Sequence, residues 1–462
     1  MHPRGIYVDR GDVVLLSPLD SRLLLLLSLL FLGLWVALVR FDHHPTLPKH
    51  AHRGSRPLRS RTPDDCQHCR DAKVAPQAPT VRPVVPYAQR KSRRGRKKTI
   101  DTHGHACPNP DCDYHRITDS AVHALVGYGH HGRHDPIQDF YCQACHRKFS
   151  VRRYTTLYGL KTPAARVAQV LHAVAEGLSP HSAARVFNLS EGTVRSWITR
   201  AGLHSRSLHE RLMRALHLTH IQLDELRIKV WGPVEAAWLW VACDARTKLI
   251  PAFALGARTQ AFAHQLVHEA AQRLAPGCVP VFSSDGLAFY FYALTAHFGT
   301  WVQKADERRR TWTVDLRLLY AQVIKKYRRK RIAEVHHRVH LGTPETYREA
   351  VCAAGFTGQI QTAFIERLNL TIRRSIAGLA RRSWSTAHSL GDLALQFEWW
   401  RAYYHFARPH AALRQRIGGP ASPVGRLRYH PRTPAQAAGV TSGRWTVLAL
   451  LEYPAPPLPT GG

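Results

Sequence analysis

The feature that most constrains the fold is a series of short apolar segments from about residue 217 to Gly286. The segments HIQLDEL, AWLWVACD and KLIPAFAL follow one another closely, and a helical stretch, RTQAFAHQLVHEAAQRL, separates them from the strand-like VPVFSSDG. Strands that continue into a helix and a further strand are typical of an α/β layer. We therefore predict a mixed sheet with flanking helices over residues 217–416, with the last part, from 360, again helical.

Acidic residues inside these apolar segments are informative because acids are scarce in the chain, with 32 Asp and Glu against 65 Lys and Arg. Asp224 lies within HIQLDEL, where burying an unpaired charge would be costly. Asp285 ends VPVFSSDG, and Glu366 lies in AFIERLNLTIRRSI beside an apolar stripe. Each residue also has an ordinary structural interpretation, since an Asp can cap a turn and a helical Glu can pair with Arg.

Two aspartates on a rigid sheet and a glutamate on a nearby helix suit the chemistry of phosphodiesters. Cleavage and strand transfer need charge neutralised on the attacking and leaving oxygens, which two divalent ions about 3.5–4 Å apart can do. Magnesium prefers oxygen ligands. We therefore predict that Asp224, Asp285 and Glu366 are catalytic and hold two Mg²⁺ (or Mn²⁺) ions. Among the competing acids of this region, Glu225 is expected to point to the opposite strand face, and Asp244 is expected to be structural in a hairpin turn. Asp306, Glu307 and Asp315 lie in a charged loop.

Two close cysteine pairs predict a metal site. The segments CPNPDC and CQAC contribute Cys107, Cys112, Cys142 and Cys145. Four thiolates in two pairs match the tetrahedral ligand set that zinc prefers, and a hairpin can absorb the 29 residues between the pairs. We predict a zinc ribbon with a structural Zn²⁺ over residues 101–153.

A third pair, Cys66 and Cys69, has no matching second pair nearby, so we expect it to be inert. The alternative is a second zinc bound with His68 and a distant histidine. The pair lies in residues 41–100, which lack apolar periodicity and end in the charge run RKSRRGRKK. This composition predicts a disordered basic linker that could also track a phosphate backbone.

Residues 161–205 have helical periodicity, and SPHSAARVFNLSEGTVRSWITRAG within them has the pattern of a helix-turn-helix. Ala183 and Phe187 belong to the apolar side of the first helix, and Ser190 suits the N-cap of the second. The residues expected to contact DNA lie outward or near the tip of the second helix: Thr193, Arg195, Ser196, Thr199 and Arg200. The alternative is an ordinary helical hairpin.

The net charge of +33 favours a polyanionic partner, and beside the zinc and helix-turn-helix motifs it favours double-stranded DNA. Charge alone does not choose among polyanions, since ribosomal and membrane-surface proteins share this bias.

The N-terminal segment, residues 1–40, contains the apolar run LLLLLSLLFLGLWVALV at 23–39. Seventeen residues is the short end for a membrane-spanning helix. Three interpretations remain: a membrane anchor, a buried or partner-binding helix, and a translation start placed too early. The basic residues downstream would leave everything after residue 40 in the cytoplasm. We therefore expect a cytoplasmic, DNA-associated protein, either free or membrane-anchored with its catalytic part facing the cytoplasm.

With these residues the chain resembles the DDE transposases of small bacterial and archaeal insertion sequences, which combine a zinc ribbon, a helix-turn-helix and a ribonuclease-H-like core. The resemblance runs from about Cys107 to at least His410. The family's QLDE-type and SDG-type strands match at Asp224 and Asp285. Its E-R-x-N-x-x-x-R helix matches at Glu366, Arg367, Asn369 and Arg373, and its closing helix at Arg408, Pro409 and His410. By this resemblance Arg367, Asn369 and Arg373 would support the catalytic acids, and Asn369, on the same helical face as Glu366, would orient Glu366 or a phosphate.

The resemblance implies a protein that binds the terminal inverted repeats of its element, nicks the DNA and joins the 3′ hydroxyl to target DNA. It would act as a homo-oligomer in the synaptic complex. The long spacing from Asp285 to Glu366 predicts an inserted basic hairpin around YAQVIKKYRRKR (320–331) on the DNA-facing side, and residues 417–462 would form a surface tail. The alternatives are a non-catalytic DNA-binding protein (a regulator or inactive element remnant), a plain nuclease of the same fold, and a membrane-tethered nucleic-acid sensor.

Overall fold

The computed structural model describes most of the chain after residue 83. The described residues are 84–90, 100–132, 135–231, 237–303, 309–329, 331–381, 387, 389–417 and 429–456. The apolar run 23–39, the Cys66/Cys69 pair and most of the predicted basic linker lie outside them. Within the described ranges, no helix combines the length and apolar character needed to cross a membrane.

A small antiparallel sheet surrounds the two cysteine pairs. Its strands are β1 (Leu125–His131), β2 (Ile137–Cys142) and β3 (Lys148–Ser150), in the order β1-β2-β3. The β1–β2 hairpin lies between Cys112 and Cys142, which confirms that a hairpin absorbs the long spacing. A single helical turn, α1 (Tyr87–Arg90), precedes this sheet, and Tyr87 packs edge-on against Tyr114.

Three helices follow: α2 (Ala164–Ala175), α3 (Pro180–Phe187) and α4 (Glu191–Leu212). The Ser190 side chain accepts a hydrogen bond from the Thr193 amide and so caps the start of α4. At the end of α3, Asn188 adopts the left-handed conformation with φ 53°, a position that Asn tolerates better than most residues. Most of the apolar residues of this pattern are buried, namely Ala183, Ala184, Val194, Trp197 and Ile198, whereas Phe187 is half-buried.

A six-stranded mixed sheet is the largest sheet of the described residues, and with its flanking helices it forms the predicted α/β layer. Its strands are β4 (His220–Ile228), β5 (Ala237–Asp244), β6 (Phe253–Gly256), β7 (Val281–Asp285), β10 (Tyr320–Arg328) and β11 (Arg331–Leu341). They lie in the order β11-β10-β7-β4-β5-β6. β7 runs parallel to β4 and β10, and the other pairs are antiparallel.

Helices cover both faces of this sheet. Ile221 and Leu223 of β4 pack with α5 (Gln260–Arg273) and α6 (Phe289–His297). Leu226 and Ile228 pack on the other face with α8 (Ala363–Ser375) and α9 (Leu390–Ala402). Because successive side chains of a strand point to opposite faces, the odd-numbered and even-numbered residues of β4 pack against helices on opposite sides of the sheet. The remaining elements of this part are the hairpin β8 (Gly299–Val302) and β9 (Thr311–Val314) and the helix α7 (Pro344–Ala353).

The segment predicted as an inserted hairpin is in part a core strand. β10 and β11 do form an antiparallel hairpin, but Tyr320 and Ala321 are fully buried and β10 pairs with β7. The apolar start, YAQV, explains this position in the sheet, while the basic second half of β10 extends beyond it.

Part of the C-terminal tail, within the described residues 429–456, packs into a core, contrary to the expectation of a surface segment. Its helices α10 (Pro434–Ala437) and α11 (Val447–Glu452) contribute the fully buried Ala435, Leu450 and Leu451 to a core shared with α2, α3 and α4. The Gly and Pro content of this tail suggested a surface path, whereas its few apolar side chains determine where it packs.

Candidate metal-binding acidic site

Two aspartates lie side by side where two parallel strands of the central sheet end their pairing. Leu223 of β4 is opposite Ser284 of β7, and the next residues along these strands are Asp224 and Asp285. On the other side of β7, Asp285 is opposite Val323 of β10. The neighbouring register brings together two acids that are 61 positions apart in the chain.

Glu225 joins this pair, which the sequence analysis did not foresee. Oxygen atoms of Asp224, Glu225 and Asp285 all lie within 4.8 Å of one another. The predicted orientation of Glu225 is nevertheless confirmed: its carboxylate accepts a hydrogen bond from Tyr290 on α6 (2.9 Å) and pairs with Arg258, on the face away from α8. Glu225 lies just past the last β4–β7 pair, where its side chain is long enough to bring its carboxylate close to the two aspartates.

The electrostatics of these acids are unfavourable without a cation. Burial and the nearby charges of Asp285 and Glu225 raise the pKa of the Asp224 carboxyl to about 7. Burial also raises the pKa of Asp285, and burial together with Asp285 raises the pKa of Glu225 despite its bonds to Arg258 and Tyr290. Clustered carboxylates with raised pKa values are typical of functional sites.

Glu366 faces the same cavity but is not one of the tightly grouped acids. A cavity of about 540 Å³ is lined by Asp224, Asp285 and Glu366, among others. Glu366 lies in the first turn of α8, is exposed, accepts a hydrogen bond from Thr362 (2.7 Å) and pairs with Lys325 of β10. Its negative charge contributes to the raised pKa of Asp224.

Of the three supporting residues predicted beside Glu366, Asn369 contacts the acidic cluster directly. It is buried on α8 and donates from Nδ2 to Oδ2 of Asp224 over 2.6 Å. Arg373 instead donates to the backbone carbonyls of Arg227 and Leu379, over 3.3 and 3.4 Å, and ties α8 to its neighbours. Arg367 is exposed on the same helix.

The structural interpretation of Asp244 is confirmed. The residue is fully buried, and its two oxygens accept hydrogen bonds from the backbone amide and hydroxyl of Thr247 (both 2.7 Å) and from the backbone amide of His220 (3.2 Å). It therefore closes the turn after β5. Asp315 pairs with Arg317 at the surface, while Asp306 and Glu307 lie outside the described residues.

The four predicted zinc ligands converge on one point in the small sheet. The sulfur atoms of Cys107, Cys112, Cys142 and Cys145 all lie within 4.8 Å of one another, with 3.5 Å between Cys107 and Cys145 and 3.8 Å between Cys112 and Cys142. All four are free thiols, and three of them are buried. Such a group forms a possible metal site.

The cysteine site favours at least one thiolate. The Cys107 thiol and the backbone amides of Cys145 and Ala144 lower the pKa of the Cys142 thiol to about 5, although burial opposes this. Burial raises the pKa of Cys112 to about 12. A thiolate is the form in which cysteine binds metals, so the lowered pKa of Cys142 is compatible with a metal site here.

The residues predicted to contact DNA lie along the first turns of α4. Arg195, Ser196 and Arg200 are exposed, and Thr193 and Thr199 are half-buried. Arg195 pairs with Glu191 on its own helix (2.6 Å), whereas Arg200 donates to the backbone carbonyl of Tyr158 (2.9 Å). Their use in DNA binding stays a prediction.

Compared with protein-family models and with curated proteins, the chain matches none of them. Any functional assignment therefore depends on the geometry of its own sites.

Proposed function

We propose that the chain is a DNA transposase, a metal-dependent enzyme that cleaves DNA and transfers the cut strand. The observation that carries this proposal is the convergence of Asp224 and Asp285 at one sheet edge, in a cavity that Glu366 also lines. The order of the three acids along the chain is the one that the resemblance to insertion-sequence transposases implies.

The strand arrangement supports a ribonuclease-H-like core. Here β4, β5 and β6 form an antiparallel meander, while β7 runs parallel beside β4 and β10 runs parallel beside β7. This mixed sheet with flanking helices is compatible with the core that the resemblance implies. The extra strand β11 is added at the outer edge.

The acids fit hard divalent ions. Carboxylate oxygens are the ligands that Mg²⁺ and Mn²⁺ prefer. The raised pKa of Asp224 reflects burial first and then repulsion by Asp285 and Glu225, and a bound cation would offset both. Asp224, Asp285 and Glu366 would hold the ions, with Glu225 available as a further ligand. Bound ions would supply charge neutralisation on the attacking and leaving oxygens of the phosphodiester.

The protein's own residues position these ligands. Asn369 orients the Asp224 carboxylate, while Tyr290 and Arg258 hold Glu225. Lys325 pairs with Glu366 at the cavity wall. Once Glu366 binds a cation, the Lys325 ammonium group could instead pair with a substrate phosphate.

The front part of the chain would bind the DNA ends. Four sulfurs about 2.3 Å from a single zinc ion would lie about 3.8 Å from one another, close to the separations of the cysteine sulfurs. We assign a structural Zn²⁺ to this site and a DNA-end contact to α3 and α4. A cytoplasmic, DNA-associated location and a homo-oligomer in the synaptic complex belong to the same proposal.

A nicking and strand-transfer assay tests the catalytic proposal. Full-length protein is incubated with Mg²⁺ or Mn²⁺ and with labelled duplexes taken from the DNA that flanks its own coding sequence. We expect cleaved and joined products from the wild type and none from Asp285→Asn. Asp315→Asn removes a surface carboxylate of the same type and should leave activity unchanged.

The outcomes separate the rival functions. Cleavage without joining would indicate a nuclease of the same fold. DNA binding without any metal-dependent product would indicate a regulator or an inactive element remnant. Equal activity in the wild type and Asp285→Asn would remove Asp285 from the site.

A further inference from the structure

The second half of the β10–β11 hairpin projects beyond the central sheet. Pairing between β10 and β7 ends where Val323 lies opposite Asp285, while pairing between β10 and β11 continues to Arg328 and Arg331. We call residues 324–338 the basic ribbon. Apart from residue 330, which is not described, every residue of the ribbon from Lys326 to Arg338 is exposed.

A strand pair that is exposed on both faces gains no core burial, so another role must explain its length. From Val323 to the tip, the ribbon extends roughly 20 Å at about 3.4 Å per residue. Its sequence, IKKYRRKRIAEVHHR, contains seven Lys or Arg residues and a single acid, Glu334. This composition indicates a polyanionic partner.

The internal ion pairs of the ribbon leave most of its cations available. Lys326 and His336 both pair with Glu334, and Lys325 pairs with Glu366. Within the described residues, no carboxylate lies within ion-pair distance of Arg328, Arg329, Arg331 or Arg338. Arginines at the tip can therefore contact phosphates without first breaking an internal salt bridge.

The ribbon begins at the wall of the acidic cavity. Val323, Ile324, Lys325 and Tyr327 line the same cavity as the acids. Tyr327 is also 65% exposed and lies opposite Ile332, which is 53% exposed, so an apolar pair stands among the arginines near the tip. A polymer that contacts the ribbon and enters this cavity would therefore reach the acids.

We propose that the basic ribbon binds double-stranded DNA, with its tip arginines contacting phosphates next to the segment held at the acidic site. This inference rests on the proposed function and adds a second DNA contact to the one assigned to α4. The major groove of B-form DNA, about 12 Å wide, admits a two-stranded ribbon, whereas the major groove of A-form RNA is too narrow. Strand addition by a second copy is less suitable, because a row of Lys and Arg on an edge opposes pairing.

The test measures affinity without catalysis. Binding of full-length protein to a labelled duplex is followed by fluorescence anisotropy in EDTA over a series of salt concentrations. Arg328→Gln, Arg329→Gln and Arg331→Gln are combined in one variant. Because each lost phosphate contact lowers the salt slope by about 0.9, we expect the slope to fall by about 2–3 and the affinity to fall roughly 10- to 100-fold.

Two control variants make the result specific. Arg214→Gln, Arg309→Gln and Arg348→Gln together remove the same charge from exposed positions outside the ribbon and should retain the wild-type slope. Replacing the three tip arginines by lysine keeps every charge and should also retain it. Circular dichroism checks that each variant is folded.

Several results would overturn the inference. These are an equal loss of slope in the control triple, a loss of slope in the lysine variant, equal affinity for a duplex RNA of the same length, and a change of oligomeric state with unchanged DNA affinity. Since binding is measured without a divalent ion, such a failure would leave the Asp285→Asn result intact. Conversely, an inactive acidic site would leave the binding result intact.

Discussion

Asn369 on α8 donates a hydrogen bond from Nδ2 to Oδ2 of Asp224 on β4 over 2.6 Å. The bond joins the helix that carries Glu366 to the strand that carries the first aspartate. Within the described residues, the Oδ1 atom of Asn369 is buried without a hydrogen-bond partner. The amide of Asn369 thus faces the acidic cluster, and we expect this residue to position the Asp224 carboxylate.

Asn369→Ala should lower metal-dependent activity about 10- to 100-fold, the range typical of residues that orient metal ligands. The loss should shrink as Mn²⁺ is raised, because a misplaced Asp224 weakens ion binding first. Activity is measured against metal concentration. Thr371→Ala, which removes a hydroxyl bonded only within α8, is the matched control and should behave as the wild type. An activity loss that no metal concentration reverses would assign Asn369 a different role.

The raised pKa of Asp224 predicts an inverse dependence of stability on pH in the absence of metal. The folded pKa, about 7, exceeds the ordinary value of 3.8, so the folded state binds this proton more tightly than the unfolded state. The associated stability is present below about pH 4 and is lost as the pH rises towards 7. Asp224→Asn should remove this dependence and stabilise the metal-free protein at pH 8 by about 1–3 kcal/mol.

Urea unfolding in EDTA at pH 5 and pH 8 checks this prediction. The difference between Asp224→Asn and the wild type should be larger at pH 8. Added Mg²⁺ should stabilise the wild type more than the variant, since the variant loses a ligand. If the difference in unfolding midpoint between Asp224→Asn and the wild type were the same at pH 5 and pH 8, the Asp224 carboxylate would not be destabilised in the folded state.

Much of the fold follows from periodicity. The short apolar segment HIQLDEL predicts β4, and the stripe of Phe364, Ile365, Leu368 and Ile372 predicts the core-facing side of α8, where only Phe364 is half-buried rather than buried. The position of the tail could not be predicted in this way. Leu450 and Leu451 belong to a helix of six residues, too short for its period to show which surface it covers.

The sequence predicted Asp224, Asp285 and Glu366 as candidate site residues. It did not predict that Glu225, rather than Glu366, would lie closest to the two aspartates. Strand context identified Asp224 and Asp285, because an acid in an apolar strand is costly without a purpose. The sequence did not predict that Glu225 belongs to this group, because the alternation of a strand places its side chain on the opposite face from Asp224. Just past the last β4–β7 pair, the distance between carboxylates depends on side-chain length as well. The ion pair between Lys325 and Glu366 joins β10 to α8. The sequence does not show that these two elements are neighbours, because this depends on the order of the strands in the sheet.

Cys142→Ser should abolish metal binding by the cysteine site. The thiol has the lowered pKa of the group, and a serine hydroxyl cannot supply a thiolate. We expect about one zinc per chain in the wild type and none in the variant, measured by elemental analysis of protein purified without chelators. Cys352→Ser removes an exposed thiol outside the site and should retain the zinc. Full zinc content in Cys142→Ser would show that the metal is held elsewhere.

Gly202→Ala should disrupt the packing of α4 against α9. A methyl group at Gly202 would lie 2.3 Å from the backbone oxygen of Leu395, and backbone cannot move aside as a flexible side chain can. We expect a loss of about 2–3 kcal/mol in the free energy of unfolding, typical of overpacking. Gly192→Ala lies in the first turn of the same helix, where the nearest atom, Ser190 Oγ, is 4.0 Å away. That control should be neutral or stabilising by up to about 1 kcal/mol, since Ala favours helix. Urea unfolding of both variants measures the difference, and equal stabilities would show that α4 and α9 do not pack this closely.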